Sequence, residues 1–275
     1  MGKVALTVSP HPDDEVLGLG ATLALLLERS WTVHNLACSL GHADDRERRL
    51  DELREAGRRL GFTSTLMEPP ARLGRDDDPD RAVLAVADAV TELIAVHTPD
   101  VIISPHLADG HHGHEVVAQA VRTALERSTS GPVWWAYGIW HDLPRPNVFV
   151  PYDESVGAVV RHAIAAYEGE NARSHYDLMY PARAVVNRTL GSERVFGFGT
   201  ATASDSPYAD VLTELRHGDN GWQYAAPRML DASDPLHPTW LPGNVDWWVR
   251  QPSLRERWRG SPGHADSRSG TASPG

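Results

Sequence analysis

Two short segments of the chain crowd ionisable side chains into a few residues. SPHPDDE (9–15) holds one histidine and three acidic residues, and SPHLADGHHGHE (104–115) holds four histidines, at positions 106, 111, 112 and 114. Imidazole nitrogens and carboxylate oxygens are ligands that zinc accepts in proteins. A set of His, Asp and His leaves one coordination position open for water, which is the arrangement of a catalytic rather than a structural metal site.

The first segment also has a simpler interpretation. Asp13 or Asp14 could serve only as the N-cap of the helix that follows, a position where acidic residues are common. That interpretation does not explain His11, because Pro10 and Pro12 stiffen its loop and hold it in one direction. A spare carboxylate beside the metal would instead accept a proton as water attacks a carbonyl.

Strands and helices alternate around these segments. Short runs of aliphatic and β-branched residues predict strands at residues 3–9, 31–40, 63–69, 100–106 and 132–140. Apolar residues at helical spacing predict helices at residues 15–30, 44–61, 80–97 and 114–128. This order predicts an α/β fold with a Rossmann-like, mostly parallel sheet and helices on both faces.

The two ionisable segments follow the first and the fourth predicted strands. In open parallel sheets, ligands bind at the carboxyl ends of the strands, in the loops that lead into the next helices. We therefore expect both loops at one edge of the sheet. His106, at the end of the fourth strand, is expected either to orient a metal ligand or to fill a structural role.

The regular alternation ends near residue 141. One further helix is predicted at 156–170, and the remaining sequence is rich in Gly, Pro and Trp with weak periodicity, so that an irregular C-terminal elaboration is expected. We expect one domain over 1–258, in which 1–140 is the metal-binding core and 141–258 a variable substrate-binding part. A disordered tail is expected at 259–275.

Composition narrows the classes of partner. The net charge of −11 would repel a phosphate backbone, which argues against nucleic acid. The single cysteine, Cys38, excludes an intramolecular disulfide and fits a reducing compartment. The sequence contains neither an apolar run long enough for a transmembrane segment nor a signal-peptide pattern, so a cytoplasmic protein is expected.

His11-Pro12-Asp13-Asp14-Glu15, together with the histidines at 111 and 114 and with Arg49 and Glu52, resembles the LmbE-like (PIG-L) family of zinc-dependent N-deacetylases. Members of that family remove the acetyl group from N-acetylglucosamine in various conjugates. The resemblance implies three metal ligands, His11, Asp14 and His114, with Zn²⁺ as the metal and Fe²⁺ as the alternative. It implies Asp13 as general base, His111 as transition-state stabiliser or acid, and Arg49 as substrate contact.

The chain departs from the family pattern at two places. His112 and Gly113 stand where many members have Pro and Asp, so a carboxylate that tunes His111 must come from elsewhere. Tyr167, Gly169 and Glu170 stand where a later helix commonly carries His, Ser and Gln. The resemblance predicts that the chemistry is retained while the substrate is left open.

The second half of the chain resembles the branch that deacetylates glycopeptide antibiotic pseudoaglycones of the teicoplanin type. N-acetylglucosaminyl inositol and malate conjugates stay open as alternative substrates, as does a non-catalytic sugar-binding protein on the same scaffold. Nine tryptophans would either form a platform for a bulky acceptor or pack in the core. Seven of them are considered for the platform: Trp134, Trp135, Trp140, Trp222, Trp240, Trp247 and Trp248.

Overall fold

The computed structural model describes residues 2–129, 131–201, 203–230 and 238–241. Within these ranges, the strands are β1 Val4–Ser9, β2 Thr32–Ala37, β3 Thr63–Leu66, β4 Val101–Pro105, β5 Val133–Tyr137, β6 Val148–Tyr152, β7 Tyr208–Gly218, β8 Gly221–Ala225, β9 Arg228–Met229 and β10 Trp240–Leu241. The helices are α1 Asp14–Glu28, α2 Arg46–Leu60, α3 Pro79–His97, α4 His112–Arg127, α5 Glu154–Ile164, α6 Glu168–Ser174 and α7 Tyr176–Phe196. The predicted disordered tail, Trp247 and Trp248 lie outside the described residues.

The first five strands form a parallel sheet in the order β3-β2-β1-β4-β5. Helices α1, α2, α5 and α7 contribute to the apolar core on one face, and α3 and α4 to the core on the other. Alternate residues of β5 serve the two faces, since Trp134 belongs to one core and Trp135 to the other. The predicted α/β fold with a mostly parallel, Rossmann-like sheet is confirmed.

The second half of the chain is more regular than the sequence indicated. Strand β7 extends the sheet antiparallel to β5 and carries β8 and β10 beyond it, while its first half pairs with β6. The helix predicted at 156–170 is two helices, α5 and α6. Helix α7 was not predicted because Pro181 and Gly191 interrupt its apolar pattern.

Helix α1 approaches the sheet closely and is broken at Leu19, whose φ and ψ are −143° and 38°. A Cβ atom added to Gly18 would lie 2.5 Å from the ring of Tyr137. The break leaves the N–H of Thr22 outside the regular helix pattern, and this group donates to the Asp210 carboxylate at 2.9 Å. The Thr22 hydroxyl donates to the same oxygen at 2.8 Å. Asp210 of β7 therefore caps the second half of α1.

Among the described residues, no helix combines the length and the apolar composition that a membrane span needs.

Asp210 generates a prediction about stability and pH. Burial raises the pKa of this carboxyl to about 6, although the Thr22 bonds oppose the rise. Its pKa in the unfolded chain is about 3.9, so the folded state binds the proton more tightly and loses stability as pH rises from 4 through 6. Asp210→Asn keeps an oxygen for Thr22 and does not ionise. Urea unfolding at pH 5 and pH 7.5 should therefore favour the variant more at pH 7.5, by about 1.4 kcal/mol.

Asp51→Asn is the matched control, because the Asp51 side chain is 69% exposed and pairs only locally with Arg54. Its free energy of unfolding should differ from that of the parent by the same small amount at both pH values. If Asp210→Asn behaves in the same way, Asp210 does not bury a charge.

Candidate active site

The loops after β1 and β4 meet because these two strands are direct neighbours in the sheet. His11 lies in the first loop, Asp14 begins α1, and His114 lies in the first turn of α4. One ligand atom from each of these residues lies within 4.8 Å of the other two. Asp14 Oδ1 is 3.1 Å from His114 Nε2, and Asp14 Oδ2 is 3.4 Å from His11 Nδ1. The structure thus brings the three expected ligands together, and their role as ligands stays a prediction.

Asp13 occupies the N-cap position of α1 in an unusual backbone conformation. Its φ is 111°, a region that residues other than glycine rarely adopt and that is found at strained functional sites. The Asp13 side chain makes no capping hydrogen bond, so the simple N-cap interpretation is wrong for this residue. The Asp14 carboxylate accepts the N–H of His11 at 2.9 Å and so fixes the loop rather than the helix end.

The two adjacent aspartates have opposite electrostatics. Burial, and then the neighbouring charge of Asp14, raise the pKa of Asp13 well above its usual value, while Arg49 opposes the rise. Burial would raise the pKa of Asp14 too, but His114 and His11 outweigh it and hold that pKa below its usual range. Asp14 is therefore a carboxylate suited to a cation, whereas Asp13 is the stronger base.

Glu15 completes the first segment below these residues. It is buried, and its carboxylate accepts the Asp13 N–H at 3.3 Å and the Tyr167 hydroxyl. Burial raises the pKa of Glu15 to about 7, against the Tyr167 hydrogen bond. Tyr167, noted as a departure from the family pattern, thus supports the loop that carries Asp13.

Arg49 of α2 reaches the same loop from the side. It is 8% exposed, and its guanidinium donates to the Pro12 carbonyl at 3.1 Å and lies 3.6 Å from Asp13 Oδ2. Its Nε lies 3.7 Å from Oε1 of Glu170, which is another residue that departs from the family pattern. Arg49 therefore supports Asp13 as well as lining the pocket, a contact that the sequence did not indicate.

His111 stands directly before α4, beside the ligand set. Its ring lies 4.7 Å from that of His114 and 5.8 Å from that of His11, measured between centroids. Burial, followed by the two neighbouring histidines, lowers the pKa of His111 to about 4, so the ring is neutral near pH 7. Its Nδ1 is buried and has no hydrogen-bond partner among the described residues.

Asp109 was missed by the sequence interpretation, although it lies in the second segment. It is fully buried, and its Oδ2 is 2.7 Å from Nδ1 of His114. His106 Nε2 is 3.5 Å from the other carboxylate oxygen, so His106 supports the carboxylate that supports a ligand. The signal that could have revealed Asp109 is an acidic residue two positions before His111.

The tryptophans divide between core and pocket. Trp134 and Trp135 are buried and donate to Ser104 and Glu214, and Trp222 is 8% exposed. Trp240 is half-buried under Arg216. Trp140 alone among these described tryptophans lines the pocket, with 53% of its surface exposed. Core packing therefore accounts for most of the proposed platform.

The ligand set lines a pocket of about 370 Å³, together with Asp13, Arg49, His111 and Trp140. Its floor is formed by the ligand set with Asp13, and its wall and mouth by His111, Trp140, Arg75, Arg173 and Tyr176. This volume is at the lower end of the range of small-molecule sites, about 300–1,000 Å³.

Comparisons with known proteins agree with this architecture. Residues 6–125 match the family PIG-L, described as GlcNAc-PI de-N-acetylase. No match to a curated protein was found. Among solved structures, GalB, the 4-carboxy-2-hydroxymuconate hydratase of Pseudomonas putida KT2440, superposes with a TM-score of 0.57 at 22% identity, covering 77% of this chain and 95% of GalB.

Two deacetylases superpose with similar coverage. A deacetylase in the biosynthesis pathway of teicoplanin has a TM-score of 0.56 at 16% identity, covering 79% of this chain and 100% of its own. The N,N'-diacetylchitobiose deacetylase of Pyrococcus horikoshii has a TM-score of 0.52 at 16% identity, covering 77% and 83%. At these identities the likeness shows a shared fold and does not assign a reaction.

The family match spans both ionisable loops, the three expected ligands His11, Asp14 and His114, and Arg49. Residues 6–125 of this chain therefore form a PIG-L/LmbE family domain.

Proposed function

We propose that the protein is a metal-dependent hydrolase that removes the N-acetyl group from an N-acetylglucosamine unit of a conjugate. The observation that carries this proposal is the position of Asp13, a buried carboxylate with a raised pKa, beside a His, Asp, His set at the floor of a pocket. The Asp13 carboxylate neither caps the helix nor belongs to the three ligands. It can therefore act as the general base that accepts a proton from water during amide hydrolysis. The family match, described as GlcNAc-PI de-N-acetylase, supports the same reaction class.

The donor set fits a divalent metal. Two imidazoles and one carboxylate, all within 4.8 Å of one another, suit Zn²⁺ or Fe²⁺, and the choice between the metals depends on availability as well as ligands. A cation bound there would supply Lewis-acid activation of water and of the acyl carbonyl.

The chain's own residues account for the proton transfers. Asp13 accepts a proton as a water oxygen forms the new bond to the acyl carbon, and Arg49 holds Asp13 in place. When the carbon–nitrogen bond breaks, Asp13 returns the proton to the departing amine, so that acetate and a free amine result. The neutral His111 ring donates a hydrogen bond to the oxyanion, a role that its lowered pKa permits.

The pocket size limits which part of the substrate is enclosed. A volume of about 370 Å³ suits one monosaccharide with its acyl group, not a whole glycopeptide. The rest of a conjugate would lie across the mouth of the pocket, against Trp140 and Arg173. Trp140 is 53% exposed, and the side chain of Arg173 is 67% exposed. We propose a glycopeptide pseudoaglycone as this conjugate, with inositol and malate conjugates as alternatives.

We also propose a reducing cytoplasm as the compartment, because the only cysteine is buried and free.

One competing reaction is that of the hydratase GalB, which has a similar fold, namely the addition of water to a carbon–carbon double bond. A sugar-binding protein without turnover is the other alternative. Hydration would add water to the substrate without releasing acetate, and a sugar-binding protein would form no product.

The first test is mass spectrometry of metal-loaded protein with a panel of substrates. The panel holds an N-acetylglucosaminyl glycopeptide pseudoaglycone, N-acetylglucosaminyl inositol, its malate counterpart, free N-acetylglucosamine and 4-carboxy-2-hydroxymuconate. We expect one acetyl group to be lost from the pseudoaglycone. Loss from another acetylated member alone would correct the conjugate, and addition of water to the muconate without any deacetylation would replace the proposal.

Asp13→Asn should lower kcat for deacetylation by about 10²–10⁴-fold, because the amide cannot accept the proton from water. Metal content, measured by elemental analysis, should stay at the parental level, since Asp13 is not one of the three ligands. Asp44→Asn is the matched control, with a side chain that is 91% exposed. Unchanged turnover in Asp13→Asn would remove Asp13 from the mechanism.

Chelation should abolish activity, and one equivalent of Zn²⁺ or Fe²⁺ should restore it. His114→Gln should bind less metal at equilibrium, because one of three ligands is lost. His42→Gln, whose side chain is 75% exposed, serves as the control and should keep full metal content. Full activity in exhaustively chelated protein would contradict a metal-dependent reaction.

A further inference from the structure

One carboxylate, that of Asp109, lies between the ligand set and the wall of the pocket. Its Oδ2 is 2.7 Å from His114 Nδ1. Its Oδ1 accepts the backbone N–H of Ile139 at 2.7 Å and that of Trp140 at 3.2 Å. Asp109 is fully buried, so these partners hold it where water does not compete.

The first contact decides which nitrogen of His114 carries the proton. A carboxylate oxygen 2.7 Å from Nδ1 favours the tautomer of neutral His114 that carries its proton on Nδ1, because the negative oxygen attracts an N–H group and repels a lone pair. Nε2, which faces Asp14 Oδ1 at 3.1 Å, then presents its lone pair to the ligand set. Partners of this kind orient metal-ligating histidines and raise their basicity.

The second pair of contacts fixes the turn that follows β5. This turn is tight, since a Cβ atom added to Gly138 would lie 2.3 Å from the His141 carbonyl oxygen. The Trp140 ring leaves the turn and stacks on His111, with 5.4 Å between centroids and 20° between planes. The pocket wall is therefore held by the same carboxylate as the ligand.

We propose that Asp109 is a positioning residue that links the metal centre to substrate recognition, and that Trp140 is the specificity-determining surface on which the sugar ring packs. An aromatic face beside a pocket of monosaccharide size suits the apolar C–H face of a pyranose. Asp109 does not replace the acidic residue that many family members carry at the position of Gly113, because it contacts His114 rather than His111. This inference rests on the proposed function for the metal centre and for the identity of the sugar.

Asp109→Asn separates the two contacts. Its amide oxygen can still accept hydrogen bonds from the backbone N–H groups of Ile139 and Trp140. This orientation keeps those two hydrogen bonds and loses the contact with His114. The amide NH₂ then faces His114 Nδ1 and moves the imidazole proton to Nε2, the ligand atom. Asp109→Ala removes both contacts. Asp142→Asn is the matched control, because Asp142 is 63% exposed and pairs with Arg183 near the same turn.

Metal affinity, measured by competition with a chelator, is the first readout and needs no substrate. We expect Asp109→Asn and Asp109→Ala to bind metal about 10–100-fold more weakly, and Trp140→Ala and Asp142→Asn to bind it as the parent does. The second readout is the emission of Trp140, obtained as the difference between each protein and its Trp140→Phe counterpart. It should shift towards that of a solvated indole in Asp109→Ala and stay unchanged in Asp109→Asn.

KM of the metal-saturated proteins is the third readout. It should rise in Asp109→Ala and Trp140→Ala and stay near the parental value in Asp109→Asn. Parental metal affinity in Asp109→Asn, or a parental Trp140 spectrum and KM in Asp109→Ala, would overturn the link. If the parent deacetylates no substrate, the proposed function fails, while the first two readouts still decide the role of Asp109.

Discussion

The site depends on the pairing of two parallel strands, β1 and β4. Because they are neighbours, the loops at their carboxyl ends are brought together, although they are separated by almost a hundred residues of sequence. The strand order also reverses at this pair of strands. Strands β2 and β3 lie on one side of β1, whereas β4 and β5 lie on the other side. Such a reversal opens a crevice above the sheet. Helix α1, which begins at Asp14, is broken at Leu19 and packs closely against the sheet. It holds Asp14 at this crevice.

Crowding charged groups in this crevice would destabilise the fold unless each had a partner. Asp14 is balanced by two histidines, Asp13 by Arg49, and Arg49 in turn by Glu170. Glu15 is held by the hydroxyl of Tyr167 and by the backbone of Asp13. The network closes between the first fifty residues and the helices near residue 170. This explains why the departures at Tyr167 and Glu170 leave the arrangement of the ligand set intact.

The sequence predicted the parallel sheet and the two loops because these depend on local patterns, namely apolar runs, turn residues and the spacing of His and Asp. It could not predict Asp109 as the partner of His114, since that contact depends on how the loop folds over its own histidines. The support given by Tyr167 to Glu15 spans 152 residues and leaves no local pattern. Strand β7 was missed for the same reason, because it pairs with β5 of the first half of the chain, and helix α7 was missed because Pro181 and Gly191 interrupt its apolar pattern.

The half-exposed ring of Trp140 has a consequence for catalysis itself. With 53% of the Trp140 residue exposed, the pocket has a side that is open to solvent. An open side weakens every electrostatic interaction within the pocket, because the local dielectric constant stays high. A large acceptor lying across Trp140 would displace water from that side. The remote part of a conjugate would then increase the rate of the chemical step and not only its binding, so that the substrate itself serves as the lid.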